Sequence, residues 1–399
     1  MGGKQTKEQS YCHISRGKQL KLIEHFKKHA KGREKMDRDE FKNAFPQIEP
    51  VLIPFYRGVV QGDECGMLSW KALFGFVDRA LLTQDNESAA LRQMFGDNKK
   101  EMIESITNMA ANWQNMNEKD QAKLGEYFSN AMPQTMDNLP KFLISCPLFE
   151  TICHAMFASI LEVSPPSLIP TRVSDNSEIM TMVDRMILKW ALPTEMRDTW
   201  TLLFASSQMG DSFSQMVKRI NHEGPVIVII ESTTHKRFGF FASHGFHSGS
   251  QYHGDHQCFL FELDPLIRTY QATGMEQTYA YLNYQQQRMP NGMGIAGHDD
   301  IWPLFIREEF GSGTCQKNTS AFEKSFVAGQ SEFNIHKIEV WRVGEKPVER
   351  DEEGQIIENK EKSIIDKDPE ARAILEMSGR AMHSDAYREP APLLDDENA

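Results

Sequence analysis

The chain has 399 residues, of which 40% are hydrophobic and 25% charged, and a formal net charge of −12. That length leaves room for roughly two to three domains, and the composition is that of a globular protein with a sizeable core. The negative balance excludes nucleic acid as the main partner, because neutralising phosphates takes a broad basic surface.

The N-terminal run Met1-Gly2-Gly3-Lys4-Gln5-Thr6 fits the M-G-x-x-x-[ST] signal for N-myristoylation of Gly2. One acyl chain binds a membrane only marginally, so a second signal is expected. Residues 1–35 carry ten Lys or Arg against three acids, with Lys4, Lys7, Arg16 and Lys18 the first four. Such residues contribute about 1 kcal/mol each near an acidic leaflet. The expectation is a covalent myristate on Gly2, no other cofactor, and residues 1–15 lying on an acidic cytosolic leaflet. The polar start lacks an apolar core, so no secretory signal is expected. The six cysteines (Cys12, Cys65, Cys146, Cys153, Cys258 and Cys315) form no C-x-x-C pair. They read as reduced thiols in a cytosolic protein.

Residues 16–163 read as helical, with apolar residues at helical spacing: Leu20, Ile23 and Phe26, then Leu73, Phe76, Val77 and Leu81. Residues 29–45 and 61–76 each have the pattern of an EF-hand loop and exit helix. In the second, Gly66 takes the sharp-turn position, but Gln61 and Ala72 stand where calcium needs carboxylates, and only Asp63 fills a ligand slot. In the first, His29, Lys31 and Arg33 take the early ligand slots. The expectation is an EF-hand-like scaffold that binds no calcium. Residues 142–161 have the length of a membrane span, but Pro147, Glu150 and His154 interrupt them, so a kinked pair of core helices is expected.

Residues 164–174, which begin Ser164-Pro165-Pro166-Ser167, read as a linker. Beyond them a helix is expected around 176–190, then a strand at Trp200–Phe204. An amphipathic helix carries Phe213, Met216, Val217 and Ile220, with Asp211 as its N-cap. Strands follow at Val226–Ile230, Phe238–Ala242, Cys258–Leu263, Tyr279–Leu282, Leu304–Ile306 and Ile335–Val343. Short, aromatic-rich strands separated by Gly, Asn and His turns predict antiparallel sheets packed as a sandwich. The tail, 345–399, holds sixteen acids and eight basic residues and reads as a solvated linker. Its exception is a helix over 368–378. Asp368-Pro369-Glu370 starts it, Ala371, Ile374 and Leu375 share one face, and Gly379 stops it. A short tethered helix needs a groove, in this chain or in a partner, and these three residues are the candidate partner-binding face.

Several constellations suggest chemistry and are weighed down by their context. Gly292-Met293-Gly294-Ile295-Ala296-Gly297 spells G-x-G-x-x-G, but turn residues precede it and no amphipathic helix follows, so its glycines are expected in positive-φ turns rather than at a dinucleotide. His244, His247, His253 and His256 with Asp255 are dense enough for zinc, yet glycines interleave them as in a surface loop. No G-x-S-x-G elbow occurs, and Cys258 sits in an apolar strand as an inert thiol. No catalytic residue is assigned and no metal is expected.

Segments in a fixed order carry a resemblance over 175–344. They are Trp200-Thr-Leu-Leu-Phe204, Gly210-Asp-Ser-Phe213, Gly224-Pro225, Phe238-Gly-Phe-Phe-Ala242 and Cys258-Phe-Leu-Phe261. Tyr281-Leu-Asn283, Pro290-Asn-Gly-Met-Gly294 and Glu339-Val-Trp341 complete the set. The region resembles the TLDc domain. With the lipidation signal, the EF-hand-like half and the tail Lys362–Glu370, the chain is similar to the lipidated, lysosome-associated TLDc subgroup linked to mTOR signalling in mammals and insulin/FOXO signalling in nematodes. The resemblance implies an α+β fold: an EF-hand-like helical half, then a TLDc antiparallel β-sandwich with flanking helices and a C-terminal helix. It also implies a non-enzymatic adaptor that binds the vacuolar proton-pumping ATPase and mTOR or insulin-pathway proteins. The place implied is the cytosolic face of lysosomal or plasma membranes, with a cytoplasmic pool. The rival implication is protection against oxidative stress through an enzymatic activity borne by the TLDc domain.

Overall fold

Apolar stripes at helical spacing organise the first half of the chain, and strand periodicity the second. The computed structural model describes residue 11 and residues 15–61, 65–286, 289–297, 301–317, 320–324 and 326–347. The chain divides into units Met1–Lys346 and Pro347–Ala399, and all described residues but Pro347 lie in the first. The helix expected over 368–378 lies outside the described residues.

The helical half runs α1 (Arg16–His29), β1 (Lys35–Met36), α2 (Arg38–Ala44), α3 (Leu52–Val60), β2 (Leu68–Ser69), α4 (Trp70–Ala80), α5 (Gln84–Phe95), α6 (Lys99–Gln114), α7 (Glu118–Ala131), α8 (Leu139–Ser145) and α9 (Pro147–Ile160). In α1 the buried stripe is Leu22, Phe26 and Ala30, spaced four apart, whereas Leu20 is 63% exposed. Of the expected stripe Leu20, Ile23 and Phe26, Phe26 is buried and Ile23 packs against the core, so only Leu20 departs from it. In α4, Leu73, Phe76 and Val77 are buried as expected. Side-chain caps start many of these helices: Asp37 for α2, Ser69 for α4, Thr83 for α5, Asn98 for α6 and Asn117 for α7.

No single helix among the described residues is long and apolar enough to cross a membrane. The apolar pair Met136–Ser145 and Pro147–Ile160 bends by 103°. Pro147 opens α9, where its missing N–H costs nothing, and Phe149 packs edge-on against Phe128 and Phe142.

The second half adds β3 (Arg172–Val173), α10 (Met182–Ala191), β4 (Thr199–Ala205), α11 (Ser206–Met209), α12 (Phe213–Ile220), β5 (Val226–Ser232), β6 (Arg237–Ala242), β7 (Tyr252–His253), β8 (Phe259–Glu262), β9 (Arg268–Gln271), β10 (Ala280–Asn283), β11 (Gly292–Ile295), β12 (Leu304–Arg307), β13 (Ser312–Thr314) and β14 (Glu332–Val343). The N-cap of α12 is Ser212, whose hydroxyl accepts from Gln215 N, rather than Asp211.

β3 to β14 form one sheet whose pairs are antiparallel except β3–β4. The 12-residue β14 holds it together. Its start pairs with β13, which leads on to the layer β12-β11-β10-β7, while from Ile335 onward it pairs with β5 and from Glu339 with β4, in the layer β4-β14-β5-β6-β8-β9. Val228, Ile230, Phe240 and Leu260 of the second layer share a core with Leu282, Met293, Ile295 and Ile306 of the first. The alternate residues Ile227, Ile229, Phe241, Phe261 and Trp341 turn the other way, into the core that also holds Phe26, Phe76, Phe149 and Met186. This double burial explains the unbroken apolar run Val226–Ile230. The architecture is α+β, with helices first and a large antiparallel sheet after them.

The segment 164–174 is fastened to this shared core. Leu168 is fully buried, and Lys189 Nζ donates to the carbonyls of Ser167 and Ile169.

Candidate functional site

Of the anchor residues singled out by sequence, Arg16 and Lys18 are described: both stand in the first turn of α1. Gly2, Lys4 and Lys7 lie outside the described residues, as do Ala371, Ile374 and Leu375. Arg16, Lys21 and Lys28 are exposed along α1, and Leu20 is exposed with them. The outward side of this helix is therefore mostly basic, with Leu20 and the exposed acid Glu24 inserted. Lys27 is drawn off it by an ion pair with Glu34 at 2.7 Å.

The EF-hand-like pattern has its geometric counterpart. The two loops meet through the antiparallel pair β1–β2, with Lys35 opposite Ser69 and Met36 opposite Leu68. A first loop that starts at His29 puts Glu40 at its twelfth position, where a calcium loop uses a bidentate Glu. Glu40 is already held: Arg33 Nη2 donates to both of its oxygens, Lys31 lies 3.3 Å away, and the Asp37 amide donates to Oε2. Burial works against its charge, yet these donors hold its carboxyl below the usual carboxylate range. Sequence reading noted the cations and missed the acid that they serve; the signal was Glu40 itself, three residues after the capping Asp37. In the second loop Ala72 offers only its backbone N–H, to Ser69 Oγ, and Asp63 lies outside the described residues.

The G-x-G-x-x-G run forms an antiparallel strand between β10 and β12, so no βαβ unit surrounds it. Gly292 has φ of +151°, but Gly294 and Gly297 are not positive-φ positions. A Cβ on Gly294 would collide with the rings of Phe305 and Trp302, and one on Gly297 with the ring of Trp302. The expectation of turn glycines is corrected: they make room for an aromatic cluster of Tyr252, Tyr281, Trp302 and Phe305 on the sheet's outer side.

The histidine group is split. His222, which sequence reading left out, packs tilted against His247 with ring centroids 4.3 Å apart, and His247 stacks on His253 at 4.3 Å. His244 instead contacts Ser243 Oγ through Nδ1 at 3.1 Å. Burial and the neighbouring His222 and His244 push the His253 pKa down.

Cys258, Ser243 and His244 form a short hydrogen-bonded chain, with Ser243 Oγ 3.3 Å from Cys258 Sγ. Both Cys258 and Ser243 are buried, Asp255 N donates to the same hydroxyl, and burial pushes the Cys258 thiol up. That raises the cost of a thiolate there. Between α6 and α7 lies a groove of about 660 Å³, lined by Ile103, Thr107, Ala122, Gly125 and Met132 with Lys99 and Lys100 among its borders.

A polar network that no motif signals joins the helical half to the sheet. Asp184 of α10 is fully buried and accepts from Lys123 Nζ of α7 and Arg237 Nη1 of β6, each at 2.7 Å. Arg237 also donates to both oxygens of Asp264. Burial opposes the Arg237 charge, but these carboxylates hold the guanidinium protonated beyond its usual range. Nearby, buried Glu339 accepts from Ser177 Oγ, the Glu178 amide and Trp341 Nε1.

The part of the chain that holds the antiparallel sheet, its flanking helices and these buried anchors is matched by the family model of the TLDc domain over residues 173–344. The chain is similar to the MTOR-associated protein MEAK7 of Gallus gallus, 39% identical over 209 residues that cover 52% of this chain and 43% of that protein. The protein of the same name from Homo sapiens is 35% identical over 244 residues, or 60% of this chain and 52% of the relative. That of Xenopus laevis is 36% identical over 219 residues, or 54% and 46%. The chain spans about half the length of the curated relatives it matches.

Proposed function

We propose that the chain is a non-enzymatic regulatory adaptor of the mTOR or insulin/FOXO nutrient-signalling pathway, and that it works at a membrane. The observation that carries this reading is the TLDc domain over 173–344 together with similarity to proteins named for association with mTOR. Myristate on Gly2 supplies one membrane signal, and Lys4, Lys7, Arg16 and Lys18 supply a second to an acidic cytosolic leaflet. The exposed basic side of α1 agrees with that role. The partner we assign is the vacuolar proton-pumping ATPase, with Ala371, Ile374 and Leu375 entering a partner's groove. The membrane is lysosomal or plasma, with a cytoplasmic pool.

The rival reading is oxidative-stress protection through an enzymatic activity of the TLDc domain, and thiol chemistry is one route to it. Raised pKa values at Cys146, Cys153, Cys258 and Cys315, each caused first by burial, make thiolates costly at those positions. Affinity purification from membranes, with the intact chain beside Gly2→Ala, tests the adaptor reading. The intact chain is expected to recover pump subunits and nutrient-signalling proteins, and Gly2→Ala to shift most of the protein into the soluble fraction. Equal membrane retention by Gly2→Ala would remove lipidation as the main anchor.

A further inference from the structure

Glu87 is a carboxylic acid in the wrong surroundings for one. It stands in the first turn of α5, is 2% exposed, and shares that buried face with Ser88 and Leu91. Its Oε1 has no hydrogen-bond donor among the described residues. Its Oε2 lies 3.5 Å from His154 Nδ1. Buried carboxylates persist where they are paired or coordinate a metal, because an uncompensated one carries a heavy desolvation cost. A single long contact to an imidazole does not compensate both oxygens.

The neighbours complete a pattern. Glu150 and His154 are four apart on α9, so they project from one side of that helix toward Glu87. Potential ligand atoms of Glu87, Glu150 and His154 all lie within 4.8 Å of one another. The two carboxylates come from different helices, each in its first turn. The imidazole side chain is 49% exposed, which opens the group to solvent on one side. Arg197 adds a positive charge near Glu150 while stacking 4.7 Å from the Trp190 ring. Cys153 is buried beside the group but is not one of its members.

We propose that Glu87, Glu150 and His154 form a binding site for a divalent transition metal, with Zn²⁺ the fitting ion. Two carboxylates match the charge of a dication, and one imidazole nitrogen selects against calcium and magnesium, which take oxygen ligands. Three protein ligands with an open, solvent-facing side leave a fourth position for water. The ion would tie α5 to α9 and engage Glu87 Oε1, a buried carboxylate oxygen with no donor among the described residues. This site is independent of the EF-hand-like loops, whose Glu40 is occupied by Arg33 and Lys31.

The test is calorimetric titration of ZnCl₂ into the full chain, stripped with chelator and kept reduced, alongside thermal unfolding with and without the ion. One equivalent of zinc is expected to bind and to raise the melting temperature. Glu87→Gln and His154→Ala should each lower the affinity by at least about tenfold, the scale on which even supporting residues of metal sites act. His154 is half exposed, so His154→Ala leaves the core intact and keeps the result readable even where Glu87→Gln fails to fold. Unchanged zinc affinity in His154→Ala would overturn the assignment. Loss of binding in His253→Ala instead would move the ion to the stacked histidines and overturn it equally. Cobalt in place of zinc gives the last check: visible bands without thiolate charge transfer support the site, and a strong charge-transfer band would hand the metal to a cysteine.

Discussion

Replacing Asp184 by Asn separates two descriptions of how the helical half is held to the sheet. Asp184 is fully buried and serves Lys123, Arg237 and the Thr181 amide and hydroxyl at once. An amide of the same shape keeps one acceptor oxygen and turns two N–H groups toward the cations. Removing one partner of a buried ion pair costs roughly 3–5 kcal/mol. Arg237 keeps Asp264 and the Ile179 carbonyl, so the lower end, about 3 kcal/mol, applies here. At roughly 2–4 °C per kcal/mol for units of 150–250 residues, the melting temperature should fall by about 6–12 °C, less in a larger unit. Asp264, 33% exposed, partners the same Arg237 from the rim, and Asp264→Asn should cost only about 1 kcal/mol. Scanning calorimetry of the two variants beside the parent reads both effects. If Asp184→Asn melts within a degree or two of the parent, or above Asp264→Asn, the buried network does not hold the two halves together.

A Cβ on Gly239 would strike the Val228 carbonyl and the Phe261 ring; Gly239→Ala should therefore cost more than an ordinary overpacking change of about 1–3 kcal/mol, and near-UV circular dichroism checks whether the aromatic core survives. Calcium at micromolar concentration should give no heat of binding, because Arg33 and Lys31 hold Glu40 and Gln61 and Ala72 offer no carboxylate; a heat that vanishes in Asp63→Ala would contradict this. The Glu40 carboxyl is held below its ordinary value of 4.5, so its contribution to stability is present above that pH and lost as the pH falls through the lowered folded value. Acid titration of Glu40→Gln should show that part of the acid limb flattened. Ile374→Asp with Leu375→Asp should lower the melting temperature by no more than a few degrees yet weaken partner recovery, since each covered apolar anchor is worth about 1.5–3 kcal/mol. A large melting loss with unchanged recovery would make the helix an internal strut.

The parts of the fold that sequence displayed are those where one residue pattern has one structural meaning. Val226–Ile230 and Phe238–Ala242 are β-branched or aromatic runs, and both are strands. The ordered TLDc segments brought the α+β class with them. β11 and β13 escaped because Gly292, Gly294 and Gly313 carry no side-chain signal: their role is to leave space for Phe305, Trp302 and Phe333. Leu20 was misplaced in the α1 stripe because it is an exposed leucine in an otherwise regular pattern, and an exposed apolar residue is not unusual. Glu87 and Asp184 were invisible for a different reason. Their importance lies in what folding removes from around them, and an acid destined for burial looks in sequence like any solvated one. Glu150 and His154 drew notice only as interruptions of an apolar run, and their partner sits more than sixty residues earlier.

Binding to the proton pump is tested by mixing the purified full chain with solubilised vacuolar proton-pumping ATPase and following both by size-exclusion chromatography. An adaptor of the pump migrates with it, and Ile374→Asp with Leu375→Asp should reduce the bound fraction while leaving the chain folded. A folded parent chain that elutes apart from the pump at every concentration tested would contradict pump binding.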